Sequence, residues 1–82
     1  MEIKVLGAGC KRCNELFEVV EEAMARADCG GELIKEERLE QIAAHGVFIT
    51  PALVIDGAVK STGKVPALDQ VVGWLTEANN KV

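Results

Sequence analysis

Apolar residues along this chain switch between two spacings. Ile3-Lys4-Val5-Leu6 is a short β-rich run, punctuated by Gly7-Ala8-Gly9. From about Lys11 to Ala27, the apolar positions Cys13, Leu16, Phe17, Val20, Ala23, Met24 and Ala27 recur every three or four residues. That period predicts an amphipathic helix with Glu15, Glu18, Glu21, Glu22 and Arg26 on its polar side. Asp28-Cys29-Gly30-Gly31 should end it, a glycine supplying the left-handed stop. Glu32 to Glu36 reads as a second strand. A shorter helix follows from about Glu37 to His45, with Leu39, Ile42 and Ala43 on its core side and Gly46 as its stop. Val47-Phe48-Ile49 and Thr50-Pro51 lead into the apolar strand Ala52-Leu53-Val54-Ile55, and Asp56-Gly57 signals a hairpin turn into Ala58 to Ser61. Gly63-Lys64-Val65-Pro66 opens the last helix with Pro66 in its first turn, and Leu68, Val71, Val72, Leu75 and Ala78 form its core stripe. The order βαβαββα predicts an α/β fold, a four-stranded mixed sheet flanked by helices, as a single domain over residues 1–82.

Composition narrows the function. A chain of 82 residues has room for one small domain, and a hydrophobic fraction of 49% supplies its core. The net charge is −4, and the nine lysines and arginines are scattered apart from Lys11-Arg12, so a nucleic-acid backbone is not an expected partner. No apolar run approaches the roughly 18 residues of a membrane span, and the first residues lack a signal-peptide core, which makes the cytoplasm the expected compartment. Three cysteines are an odd count and a poor framework for a secreted module. In a reducing compartment, close-spaced cysteines more often do chemistry or hold metal, so Cys10 and Cys13 are the candidates.

Cys10-Lys11-Arg12-Cys13 sits where a strand ends and a helix begins. Free backbone N–H groups and the positive end of the helix dipole favour a thiolate at Cys10. Lys11 and Arg12 push the same way, as pKa-tuning cations. Cys13 falls in the apolar stripe, so its sulfur should face inward. Unequal roles follow: Cys10 as an exposed nucleophile, Cys13 as the sheltered resolving thiol. A C-x-x-C pair also serves soft metals, so a soft-metal-binding module using the same two cysteines is the alternative reading. A docking domain with an inert disulfide is a third. Zinc fits less well, because Cys29 lies roughly 25 Å from Cys10 along the helix and leaves the ligand set incomplete. Neither a metal nor a cofactor site is expected beyond the cysteine pair, and Cys29 reads as a spare, partly exposed thiol. Thr50-Pro51 restricts Thr50 to an extended conformation and removes one ladder donor. The residues alone leave its isomer open, trans being the ordinary state.

The combination of Gly7-Ala8-Gly9-Cys10-Lys11-Arg12-Cys13, Thr50-Pro51 ahead of Ala52-Leu53-Val54-Ile55, and Asp56-Gly57 resembles the thioredoxin superfamily. It looks most like the small thioredoxin-like, or redox-active disulfide, proteins of archaea and bacteria, over nearly the whole chain. The resemblance implies a thioredoxin fold and a thiol–disulfide oxidoreductase that exchanges electrons with protein disulfides. Its redox centre would be the Cys10-Cys13 couple itself, recharged by a flavoprotein donor of the thioredoxin-reductase kind. The resemblance also implies a cis Thr50-Pro51 facing Cys10, with Thr50 and Pro51 binding an extended substrate segment. Two features depart from ordinary thioredoxins. Gly9 and Lys11-Arg12 stand where those carry Trp and Gly-Pro, and Lys4 stands where they keep a buried acid.

Overall fold

A computed structural model of the chain describes residues 1–7 and 11–79. The order is β1 (Glu2–Leu6), α1 (Lys11–Arg26), β2 (Glu32–Glu36), α2 (Leu39–Ala44), β3 (Ala52–Ile55), β4 (Ala58–Thr62) and α3 (Leu68–Asn79). The strands form one mixed sheet in the order β2-β1-β3-β4. β1 pairs in parallel with β2 and antiparallel with β3, and β3 pairs antiparallel with β4. This is the α/β architecture that the alternating periods predict.

Side-chain alternation divides the sheet into two faces. Ile3, Val5, Leu53 and Ile55 pack with Leu16, Val20 and Ala23 of α1 and with Val71 and Leu75 of α3. Leu6, Ala52 and Val54 point the other way and join Ile42 of α2 and Val47. β3 is therefore buried along its whole length, as a central strand covered on both faces must be. The two edge strands are polar. β2 carries Glu32, Lys35 and Glu36, while β4 is mostly exposed, and its register skips Lys60 between the Leu53–Ser61 and Val54–Val59 pairs. That bulge and those charges discourage edge-to-edge pairing with another chain. Asp56 and Gly57 both take positive φ in the hairpin turn, and the Asp56 carboxylate accepts a 2.8 Å hydrogen bond from the Glu2 N–H.

Five local expectations differ from the structure. The left-handed residue that ends α1 is Asp28 (φ 49°), not a glycine. The Cys29 N–H then donates to the Met24 carbonyl and the Asp28 N–H to that of Ala25. This reversal carries Cys29 inward: it is only 7% exposed, and its thiol lies 3.5 Å from Met1 Sδ, so it is not the partly exposed thiol expected. α2 begins at Leu39, because Arg38 remains extended and its carbonyl caps the helix by accepting the Ile42 N–H. With six residues, α2 buries Ile42 but leaves Leu39 and Ala43 exposed. α3 begins at Leu68, with the Ala67 carbonyl accepting from Gln70 and Val71, so Pro66 lies buried just ahead of the helix. The stop at Gly46 holds (φ 78°): its N–H and that of Val47 close the end of α2 onto the Ala43 and Ile42 carbonyls.

The turn from β2 into α2 is pinned by one ion pair. Arg38 reaches Glu36 through two nitrogens, at 2.9 and 3.2 Å. The Arg38 hydrogen bond holds the Glu36 carboxyl below its usual value of 4.5, aided by a backbone bond from Arg38 and the charges of Arg38 and Lys4, against partial desolvation. A carboxylate whose folded pKa is depressed stabilises the fold above its unfolded pKa and loses that contribution as pH falls through the folded one. Glu36→Gln should therefore lower the urea midpoint at pH 7 and change it little once the medium is acidic enough to protonate the folded carboxyl. An equal loss at both pH values would show that the effect is not this ion pair.

Candidate active site

The candidate site forms where β1 runs out of the sheet. Leu6 is the last β1 residue, paired with Glu36 on one side and Ala52 on the other, and the Gly7 N–H still donates to the Glu36 carbonyl at 2.9 Å. Gly7 is buried and sits directly against Cys13. A Cβ built on it would overlap Cys13 Sγ, approach Cys13 Cβ to 3.1 Å and come within 3.7 Å of Thr50 Cβ. Only the absence of a side chain at Gly7 lets the sulfur and the Thr50 segment approach the same point.

Cys13 is the third residue of α1 and is fully buried. It is disulfide-bonded, whereas Cys29 is a free thiol. Cys10, Gly9 and Ala8 lie outside the described residues. Lys11 and Arg12 are exposed, and the first turn of α1 contains no acidic residue. Among the described residues neither cation has a carboxylate partner within ion-pair distance. Two cations at a helix N-terminus oppose the dipole and cost the helix a few tenths of a kcal/mol each, about 1 at most. Their placement favours an anion nearby.

The Thr50–Pro51 peptide is cis. Pro51 is buried, and its carbonyl accepts a 2.8 Å hydrogen bond from the Gly63 N–H just past β4. Thr50 is exposed beside it. The structure thus brings Cys13, Thr50 and Pro51 to one end of the sheet, with Lys11 and Arg12 on the adjoining helix turn. Phe48 and Ile49 stand 87% and 65% exposed immediately before Thr50. Nothing in their spacing distinguishes an exposed apolar pair from a buried one. Gly7 is legible in the sequence as a strand stop and as part of the cysteine motif, but its contact with Cys13 is not.

A second support comes from β2. Lys35 Nζ donates to Asn14 Oδ1 at 2.6 Å, lies 5.9 Å from the centre of the Phe17 ring and is 3.8 Å from a Glu37 oxygen. It braces the residue following Cys13. Lys4, at the position of the missing acid, points to the α2 face of the sheet and pairs with Glu2 at 3.5 Å. Among the described residues no group of three or more His, Cys, Asp or Glu side chains could hold a metal ion, and no helix is long and apolar enough to cross a membrane.

Comparison with known proteins points the same way as the architecture. The family model described as thioredoxin domain matches residues 1–76. A thioredoxin of Methanocaldococcus jannaschii is 30% identical over 69 residues, covering 84% of this chain and 79% of that protein. A thioredoxin of Methanothermobacter thermautotrophicus is 30% identical over 71 residues, covering 87% and 92%. With β1, α1 and the Thr50–Pro51 segment all inside the matched region, the chain belongs to the thioredoxin-domain family.

Proposed function

We propose that this protein is a cytoplasmic thiol–disulfide oxidoreductase, a single domain over residues 1–82, that exchanges two electrons with protein disulfides through a Cys10-Cys13 couple. The observation that carries the reading is the disulfide at Cys13, buried against Gly7 at the mouth of α1 while Cys29 is free.

In the reductive direction, the Cys10 thiolate attacks one sulfur of the partner's disulfide. The partner's S–S bond breaks, a mixed disulfide forms and one partner thiolate leaves. Cys13 then gives up its proton and attacks the Cys10 sulfur. The Cys10-Cys13 disulfide closes and the second partner thiolate departs. Two electrons have passed to the partner; the Cys13 proton goes to one of its thiolates and the other takes its proton from solvent. Lys11 and Arg12 stabilise the first thiolate, and the burial of Cys13 reserves its sulfur for the mixed disulfide formed beside it. The second step is intramolecular, so its effective concentration exceeds that of a free thiol by orders of magnitude. Thr50 offers its extended backbone to a substrate segment, and the exposed Phe48 and Ile49 add apolar contact suited to a polypeptide. A flavoprotein donor of the thioredoxin-reductase kind returns the electrons.

Reduced protein should cleave the disulfides of insulin, and Cys10→Ser should abolish that activity. Cys13→Ser should instead accumulate the mixed disulfide, visible as a covalent adduct by non-reducing electrophoresis. Activity retained by the Cys10→Ser protein would refute the assignment of roles. Gly7→Ala should displace the buried sulfur and lower stability by about 1–3 kcal/mol, with slower release of the mixed disulfide. A variant with unaltered stability and kinetics would show that the contact between Gly7 and Cys13 does not matter.

A further inference from the structure

Beside this site, α1 and the entry to α3 flank an open, shallow groove of about 380 Å³ lined by Glu15, Glu18, Val19, Glu22, Val65 and Leu68. Its composition is layered. Val19, Val65 and Leu68 are half-buried and form an apolar floor, whereas the three glutamates are exposed along one rim. Glu22 shares a carboxylate oxygen with Arg26 at 3.2 Å, but Glu15 and Glu18 make no ion pair among the described residues. The spacing of Glu15, Glu18 and Glu22 follows one face of the helix for two turns, about 10 Å.

We propose that this groove docks a basic amphipathic helix of a partner protein. The floor accepts apolar side chains one turn apart, and lysines or arginines on the flank of the same helix meet the glutamate row. Charge complementarity selects this occupant. A second copy of the chain is disfavoured, because both copies carry a net charge of −4. The groove also lies within reach of the thiol site: Glu15 follows Cys13 by two residues, and Val65 follows Gly63, whose N–H is held by the Pro51 carbonyl. A partner seated here is held at the flank of α1 while Thr50 and the Cys13 end stay open. Electrostatic contacts of this kind raise association rate and select partners more than they add affinity.

The test is a titration of a fluorescein-labelled amphipathic peptide of about 18 residues, leucine on one face and lysine on its flanks. Its partner in the titration is the intact protein, with the Cys10→Ser variant in parallel. Both proteins should bind the peptide alike, because docking does not depend on the thiol chemistry. Glu15→Gln/Glu18→Gln should weaken binding about ten-fold at low salt, and added salt should narrow that gap. Glu32→Gln/Glu37→Gln, which removes the same charge elsewhere, should change it less than about two-fold, and a peptide with serine in place of leucine should fail to bind. Backbone amide shifts in the unmodified protein should cluster on Val19, Val65 and Leu68. Equal weakening by both double variants, equal binding of the serine peptide, shifts centred on Phe48 and Ile49, no binding at all, or self-association through this face would each overturn the proposal.

Discussion

At the end of β1, the backbone of Gly7 and the sulfur of Cys13 occupy adjoining space, and one methyl group on that glycine would drive the sulfur out. The consequences spread from there. β1 is a central strand, hydrogen-bonded to β2 on one side and β3 on the other, so Gly7 cannot yield by moving. α1 is held over the same face by Leu16, Val20 and Ala23, so Cys13 cannot yield either. Thr50 reaches this point because β3 pairs with β1 up to Ala52 opposite Leu6. A rigid sheet end thus sets which groups meet a buried sulfur, and small shifts there would be felt in full because the surrounding core is close-packed.

The charge distribution along α1 divides the labour of that helix. Its first turn carries Lys11 and Arg12 with no compensating acid, against the dipole preference that ordinary helices obey. Its flank carries Glu15, Glu18, Glu21 and Glu22. Local rules broken in one place and kept elsewhere are expected at working sites. A cationic mouth favours a thiolate, and an acidic flank beside an apolar floor favours a basic amphipathic partner. On the proposed reading, the first turn of α1 serves the thiol chemistry and its acidic flank serves recognition.

Much of the architecture was legible because its signals are periodic. The helical stripe of α1, the alternation in β1 and the Asp56-Gly57 turn each depend on neighbours in sequence, and each element lies within a residue or two of its expected place. The misread details are those decided by tertiary contacts. Arg38 stays outside α2 because Glu36 grips it, Cys29 turns inward because Asp28 reverses the chain, and Leu39 is exposed because a six-residue helix offers the sheet little more than Ile42. At the site, the motif residues were visible as motifs. The intimacy of Gly7 with Cys13 and the exposure of Phe48 and Ile49 were not, since both depend on how separate elements stack.

The proposed function requires that Cys10 and the buried Cys13 form a reversible two-electron couple. The most direct measurement is an equilibrium redox titration of the purified protein in dithiothreitol or glutathione buffers, with thiol alkylation read by mass at each potential. One two-electron transition confined to Cys10 and Cys13 is expected, at a potential between roughly −320 and −180 mV, where cellular thiol systems operate. A pair that stays reduced or oxidised across that range, or a transition that involves Cys29, would contradict it.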